Sequence, residues 1–420
     1  MDNPRKLIVG YDLCDDYSQI SCYSYKTFEP IPISPVIDDD NTLIPTTLSV
    51  IKDSRNWVYG QEAIDCARDG SGILIDRLLS KLKNHEEVEI FEQTYSAVSL
   101  LEKFFRKTLT LTKNHFPTER ITQIVVTLHE MDGTLVEGVY ETLSMLGIDK
   151  DRATVISHGS SFMHYALSQD KGLWLNDVGL FDFNEEGLEF YRISVNRRVS
   201  PMIAGMEKKD FTDTLNYSLL NSRNVDLGFT LDNIANTVLY KQIISTLYFT
   251  GRGFDGGWAE DVVRSLCAGR RVFMGQNLFT MGACYAAKEL AGDKSLSNII
   301  LLNNDMIISS IAIRVYMDGM NKELFITDAA VPWYEVSSNI DVILDEASDM
   351  ELVFRNIMTK ETIRERIPLQ DLPDRPSRMT RLKINIVCIN KLQVKLTITD
   401  MGFGDIYPST GKVAEFILDL

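Results

Sequence analysis

Two strand–turn–strand patterns, one at the start of the chain and one near its middle, restrict the fold more than any other feature. The first spans residues 7–25, where an apolar run, Asp15-Asp16 and a second alternating run follow one another. The second spans residues 173–195 and has the same outline. Strand-like and helical periods alternate after each pattern, which indicates mixed α/β structure. The sequence therefore predicts two α/β halves, over residues 1–170 and 171–300.

The spacing of the apolar residues changes after residue 298. From there to Leu420 the sequence reads as short alternating strands, with turn signals such as Asp318-Gly319 between them. Helical spacing is not recognisable in this stretch. We therefore expect a separate all-β module, a sandwich, over residues 301–420.

Charge and composition exclude several classes of protein. The 59 acidic and 43 basic residues give a formal charge of −16, which would repel nucleic acids and anionic membrane surfaces. No stretch approaches the roughly 20 apolar residues that cross a bilayer, and no signal peptide is recognisable. The six cysteines form no CxxC pair and the five histidines no helical pair, so spacing predicts neither a disulfide framework nor a zinc site. We expect a cytoplasmic protein without nucleic-acid or membrane partners.

Five segments occur in an order that resembles one protein family. Gly10-Tyr-Asp-Leu-Cys-Asp-Asp-Tyr-Ser18 is similar to a first phosphate hairpin, and Leu180-Phe-Asp-Phe-Asn-Glu-Glu-Gly-Leu-Glu-Phe190 to a second. Residues 124–166 are similar to the segment that links them. Residues 247–254 and 281–287 are similar to an adenosine-binding turn and its helix. In this order they resemble the DnaK-type chaperones, the seventy-kilodalton heat-shock proteins of the actin-like ATPase superfamily.

The resemblance implies an α/β actin-like (ribonuclease H-like duplicated) ATPase fold with a C-terminal all-β sandwich. In the family, hairpin backbone groups and hydroxyls surround the nucleotide phosphates, and aspartates lie near magnesium. Carried onto this sequence, the resemblance gives a vestigial nucleotide site formed by Asp12, Asp15, Asp182, Gly251, Gly253 and Gly282.

Both hairpins depart from the family pattern. Cys14 stands at a glycine position, and Asp15 and Asp16 stand at threonine positions. Asn184-Glu185-Glu186 replaces the glycine run of the second hairpin, and His158 replaces a glutamate that positions metal-bound water. Two unit charges about 4 Å apart interact by roughly 4 kcal/mol at an effective dielectric constant near 20, so these carboxylates would oppose a triphosphate.

The departures predict a DnaK-like, chaperone-related protein that binds or scaffolds a protein or peptide without efficient ATP hydrolysis and without a cofactor. One alternative is a divergent chaperone ATPase with ATP or ADP and magnesium as cofactors. In it, Asp12, Asp15 and Asp182 gather the ion, and Asp12 and Asp182 are the catalytic and metal-binding residues. A third interpretation is an actin-like assembly protein. Each aspartate could equally order its own turn.

The β module would supply the partner surface. Ile367-Pro-Leu-Gln-Asp-Leu-Pro373 and Asp400-Met-Gly-Phe-Gly404 are similar to the end of the family's peptide-binding sandwich. Apolar residues in its loops could accept an extended segment, or could be ordinary core. The resemblance places that cleft at Tyr316, Met317, Ile343 and Leu344. We expect no helical lid after the β module, and residues 299–308 differ from the family's interdomain linker, so a J-domain partner is not expected.

Overall fold

The structure, a computed structural model, describes residues 6–36, 39–222, 225–345, 349–369 and 372–420. The chain divides into two compact units, Met1–Asn303 and Asn304–Leu420. Gln370-Asp371, within the sandwich-like motif of the sequence, lies outside the described residues. Among those described, no helix combines the length and the apolar character needed to cross a membrane.

The first half of the first unit is built on a sheet of six strands, in the order β11-β10-β1-β2-β3 with β4 paired to β2. This half as a whole contains the strands β1 (Lys6–Leu13), β2 (Tyr17–Ser24), β3 (Glu29–Pro32), β4 (Ile44–Pro45), β5 (Leu48–Ile51), β6 (Trp57–Tyr59), β7 (Gly72–Ile75), β8 (Glu87–Ile90), β9 (Gln93–Ser96), β10 (Arg120–Leu128) and β11 (Ala153–Ser157). Its helices are α1 (Gly60–Arg68), α2 (Leu78–Lys83), α3 (Ala97–Leu109), α4 (Gly133–Met145) and α5 (His158–Ser168), with a 3-10 turn at Thr110–Asn114. β1 pairs antiparallel with β2 and parallel with β10, which is parallel to β11.

The second half has its own six-stranded sheet, in the order β16-β15-β12-β13-β14-β17. Its strands are β12 (Asp177–Asn184), β13 (Gly187–Asn196), β14 (Met202–Asp210), β15 (Ile244–Thr250), β16 (Arg271–Met274) and β17 (Ile299–Leu302). Its helices are α6 (Tyr217–Leu220), α7 (Leu227–Leu239), α8 (Glu260–Leu266) and α9 (Leu278–Leu290), with a 3-10 turn at Arg252–Phe254. β17 lies within residues 299–308, the segment that aligns with the interdomain linker of the DnaK-type chaperones. In the structure this strand pairs with β14.

Alternate residues of β1 pack on opposite faces of the first sheet. Val9 and Tyr11 join a core that includes α3 and α4, whereas Ile8 joins Cys284 and its neighbours on α9. α9 lies directly on β1 because Gly10 has no side chain: a Cβ there would be 2.3 Å from the backbone nitrogen of Cys284. A helix of the second half therefore completes the core of the first.

The predicted fold class, an actin-like (ribonuclease H-like duplicated) ATPase fold with a C-terminal sandwich, is wrong. The structure is rich in strands, with 42% strand and 25% helix in several mixed and antiparallel sheets, and no actin-like ATPase fold is clear within the described ranges. Small sheets such as β6-β5-β7 and β8-β9 add to the strand content. The hairpin patterns predict local strands, but which strands join into a sheet depends on cross-strand and same-face neighbours distant in sequence.

The second unit consists of two four-stranded antiparallel sheets, β19-β18-β21-β22 and β20-β23-β24-β25. Its strands are β18 (Ser309–Met317), β19 (Met320–Thr327), β20 (Ser337–Leu344), β21 (Asp349–Asn356), β22 (Thr362–Pro368), β23 (Thr380–Asn390), β24 (Gln393–Gly402) and β25 (Val413–Asp419), with a 3-10 turn at Trp333–Glu335. Burial alternates along β23 and β24, as expected when one face of a sheet is covered. Both sheets contribute to one core, for example through Phe354 and Leu396.

Candidate functional site

The turns that follow β1 and β12 face one cleft in the first unit, with a volume of about 270 Å³. Because β1, β10 and β11 are parallel, their carboxyl ends place Asp12, His129 and His158 at the same edge of the first sheet. β12 and β15 likewise place Asp182 and Thr250 in the second. Carboxylates dominate the lining of the cleft: Asp12, Asp15, Asp16, Asp182, Glu185 and Glu186.

Asp12, Cys14 and His158 form one group in the cleft, which we call the Asp12 cluster. Nε2 of His158 lies 2.8 Å from Oδ1 of Asp12, and Sγ of Cys14 lies 3.7 Å from that oxygen and 3.8 Å from that nitrogen. Ser157 caps the helix that His158 begins, and the imidazole ring stacks on Phe279 with centroids 3.9 Å apart. Burial, reinforced by the charge of Asp12, raises the pKa of the Cys14 thiol well above its ordinary value. The cluster therefore joins three polar groups in a nearly dry environment.

His129 forms a second group with two glutamates of the β12–β13 hairpin region. Its ring nitrogens lie 2.5 Å from Glu186 and 3.0 Å from Glu189. Burial alone would lower the pKa of His129, but the hydrogen bonds and charges of the two glutamates outweigh it and raise this pKa to about 10. Glu189 also accepts hydrogen bonds from Tyr191 (2.6 Å) and Lys208 (2.7 Å). Burial alone would raise the pKa of Glu189, but His129 and Lys208 bring it to about 2.

Two further carboxyl groups in the cleft have raised pKa values. Burial raises the pKa of Asp182 to about 6, although His158 and His129 act in the opposite direction. Burial also raises the pKa of Asp16 to about 6, with the charge of Glu185 adding to the effect. The cleft is therefore a poor environment for additional negative charge, since it already disfavours the ionised form of its own carboxyl groups.

The Asp15 side chain accepts hydrogen bonds from the first turn of α2. Its carboxylate accepts hydrogen bonds from the backbone nitrogen of Leu79 at 2.7 Å, and from the backbone nitrogen of Ser80 at 3.1 Å. The hydroxyl of Ser80 also donates to it. Backbone N–H groups at a helix start lack partners within the helix, so Asp15 acts as a cap supplied from another segment. This role ties the first hairpin to α2.

The predicted adenosine-side glycines have packing roles. Gly251 lines the cleft at φ +97°, and a Cβ there would be 2.3 Å from the carbonyl oxygen of Phe183. A Cβ on Gly253 would be 2.3 Å from the Phe183 ring, and one on Gly282 would be 2.1 Å from the carbonyl oxygen of Ser161. Among the described residues that line the cleft, neither Gly253 nor Gly282 occurs. Of the six residues proposed from sequence, the structure thus brings Asp12, Asp15, Asp182 and Gly251 together.

The four residues proposed for peptide binding lie at the ends of strands in two different sheets. Tyr316 and Met317, at the end of β18, are 66% and 45% exposed. Ile343, at the end of β20, is 55% exposed, whereas its neighbour Leu344 packs against the core of the second unit. Three of the four therefore present apolar surface to solvent.

The sequence did not point to His129 or Glu189, nor to the proximity of Cys14 and His158. His129 directly follows the buried strand β10, and a polar residue at that position is the one available signal. Glu189 lies within an apolar strand and carries no such signal. The positions of His129 and His158 in one cleft follow from the order of the strands in the sheet, which the sequence did not predict.

Comparison with known proteins gives a family without a described activity. Residues 29–304 match the family described as "Family of unknown function (DUF5716) C-terminal". The chain belongs to this family. Residues 306–420 match a second domain of unknown function, DUF8552. No curated protein matches the chain. The resemblance to DnaK-type chaperones stays a prediction.

Proposed function

We propose that the chain is a binding or scaffolding protein that engages a protein or peptide partner and does not hydrolyse ATP efficiently. The observation that carries the proposal is the charge of the cleft, where six carboxylates face the space that a nucleotide would need. Each carboxylate about 4 Å from a phosphate charge opposes binding by roughly 4 kcal/mol at an effective dielectric constant near 20.

The cations of the cleft are already paired, which strengthens this argument. His129 lies between Glu186 and Glu189, and His158 is bonded to Asp12. The two arginines that line the cleft also have acidic neighbours: Arg77 lies 4.0 Å from Glu185, and Arg252 lies 3.8 Å from Asp255. A phosphate group would have to displace these partners before it gained a favourable contact.

The magnesium-dependent ATPase alternative needs Asp15 as a ligand together with Asp12 and Asp182. The carboxylate of Asp15 is bonded to the first turn of α2, so using it for a metal would leave backbone N–H groups of that turn without an acceptor. The geometry therefore favours the binding protein over this ATPase. The assembly alternative depended on the actin-like fold and is not retained.

The second unit is the proposed partner surface, because it presents Tyr316, Met317 and Ile343 to solvent. The acidic chain favours a partner that is not itself strongly acidic. For the compartment we propose the cytoplasm, since the six cysteines are free, as expected where thiols are kept reduced.

The proposal is tested by titrating the full chain with ATP and with ADP by calorimetry, with and without magnesium, and by following phosphate release in the same samples. We expect no binding heat at millimolar nucleotide and no release above the rate without protein. Magnesium-dependent binding tighter than about 100 μM, about −5.5 kcal/mol, would contradict the proposal if Asp12→Ala abolishes turnover. Asp53→Ala, at an exposed aspartate that does not line the cleft, is the matched control.

A further inference from the structure

The Asp12 cluster contains three kinds of metal ligand within bonding distance of a common point. Carboxylate oxygen, thiol sulfur and imidazole nitrogen come from Asp12, Cys14 and His158, which lie on the first hairpin and at the start of α5. Their ligand atoms are 2.8, 3.7 and 3.8 Å apart. Side chains that all face one cavity from different segments are the arrangement from which metal sites are built.

The three separations are close to those around a tetrahedral zinc ion. Zinc bonds of about 2.0–2.3 Å place a thiolate about 3.6 Å from an imidazole nitrogen or a carboxylate oxygen, and place those two about 3.4 Å apart. The sulfur in this cluster is 3.7 and 3.8 Å from the other two atoms. Only the contact between His158 and Asp12 has to open, from 2.8 Å by about 0.6 Å. The backbone already holds the three side chains at nearly the required spacing.

His158 lacks the complete set of hydrogen bonds that usually explains a buried imidazole. The residue is 3% exposed, and no described residue bonds its Nδ1 atom. Nε2 contacts only Asp12 and the weak donor Cys14. The unpartnered atom is Nδ1, whereas Nε2 is the atom that faces Asp12 and Cys14, so the metal site rests on the positions of the three ligand atoms.

A second group of ligand types, His129, Asp182 and Glu189, lies in the same cleft but fits a metal less well. The carboxylate of Glu189 is already bonded to His129, Tyr191 and Lys208, so a cation there would meet the ammonium group of Lys208. Asp12 and Cys14 have no cationic lysine or arginine bonded to them in the described structure. The Asp12 cluster is therefore the better candidate for a metal site.

We propose that the Asp12 cluster binds one divalent transition metal ion of the zinc class through Asp12, Cys14 and His158. The donor set of sulfur, nitrogen and oxygen suits zinc and cobalt and is unsuited to magnesium or calcium, which prefer oxygen ligands. Three protein ligands leave a fourth coordination position, as in zinc sites that bind water or a substrate. The cation also offsets part of the negative charge of the cleft, in contrast to a phosphate.

The test uses the full chain, freed of metal with a chelator and kept reduced without added thiols. Zinc chloride is titrated in by calorimetry, and cobalt chloride is followed by absorption spectroscopy. We expect one ion per chain, a near-ultraviolet band from thiolate-to-cobalt charge transfer and the visible bands of a four-coordinate ion. Absence of zinc binding at 100 μM, or bound cobalt without the thiolate band, would overturn the proposal.

Matched variants locate the site. Cys14→Ser should weaken zinc binding at least about tenfold and remove the thiolate band, since loss of even an outer-shell partner costs about 10–100-fold in affinity. His158→Gln should weaken binding by at least as much. Cys66→Ser, at another free and partly exposed cysteine, and His115→Gln, at an exposed histidine, should change neither property.

Two results from the variants would contradict this assignment. One is a thiolate band that persists in folded Cys14→Ser, which would place the sulfur ligand elsewhere. The other is an equal loss of binding in Cys66→Ser. Circular dichroism checks that each variant is folded. If Cys14→Ser does not fold, the cobalt spectrum of the unaltered chain together with His158→Gln still decides the matter, because both report on the same ligands.

Discussion

The ion pair between Arg375 and Asp400 is predicted to be a main source of stability in the second unit. It is bidentate, with nitrogen–oxygen distances of 2.7 and 2.9 Å, and the two side chains are 6% and 0% exposed. Asp400 also accepts hydrogen bonds from the backbone nitrogens of Gly402 and Thr410, both at 2.9 Å. Arg375→Ala would leave this carboxylate buried without its countercharge. Breaking a buried pair in this way costs about 3–5 kcal/mol.

The assay is hydrogen exchange by mass spectrometry over a series of urea concentrations, followed on peptides from β23 and β24. Asp400 lies on β24, so the free energy of opening of these peptides should fall by the whole 3–5 kcal/mol. Lys395→Ala is the control: Lys395 lies on the same strand and pairs with Glu415 at 2.8 Å, but the two side chains are 42% and 55% exposed. Loss of such an exposed pair costs about 0–1 kcal/mol. Equal, small losses in both variants would refute the reasoning.

The same pair predicts how the stability of the second unit changes in acid. The hydrogen bonds from Arg375, together with those from Thr410 and Gly402, hold the pKa of Asp400 well below its usual value, although burial acts against them. A carboxyl group with a lowered pKa contributes its full stability above the unfolded value, about 3.9, and loses it only as the pH falls towards the lowered pKa. Urea midpoints between pH 5 and pH 3 should therefore fall more steeply in the unaltered chain than in Arg375→Ala, where the pKa of Asp400 is no longer held down by Arg375.

Three predictions concern the first unit. Asp15→Ala should destabilise α2 by about 0.5–2 kcal/mol through loss of its cap, and Asp15→Asn should lose less; hydrogen exchange of α2 peptides measures both. His129 has a pKa raised to about 10, so its contribution to stability is complete below about pH 6.5 and lost as the pH rises through 10; His129→Gln should abolish this fall in the urea midpoint. Gly10→Ala should cost about 1–3 kcal/mol in thermal or urea unfolding, because its Cβ would be 2.3 Å from the backbone of α9. No loss in that variant would show that α9 can shift freely.

The sequence predicted local elements well and their assembly poorly. The first hairpin pattern, over residues 7–25, corresponds to β1 and β2, and the second, over 173–195, to β12 and β13. Alternation of apolar residues is a property of neighbouring residues, so one chain is enough to detect it. The fold class was wrong because it depended on which strands pair, and those partners lie far apart in sequence.

In the candidate site, too, the residues within one hairpin could be predicted from the sequence, whereas contacts between distant segments could not. Asp12 and Asp182 could be picked out because each ends an apolar strand inside a recognisable hairpin. Cys14 and His158 are 144 positions apart and meet only because β10 lies between β1 and β11 in a parallel arrangement. Spacing rules for metal ligands look for short intervals, and a pair at this distance falls outside them.

The contact between β1 and α9 has a consequence for how the chain is made. The hydroxyl of Thr280 donates to the carbonyl oxygen of Gly10 at 3.2 Å, across a separation of 270 residues. β1 is synthesised before α9, so it lacks the helix that covers one of its faces until almost the whole first unit has been made. At about 5–20 residues per second, that interval lasts roughly 15–50 s. During it, Ile8 and its neighbours are exposed, so the nascent chain offers chaperones and proteases a target that the finished protein no longer has.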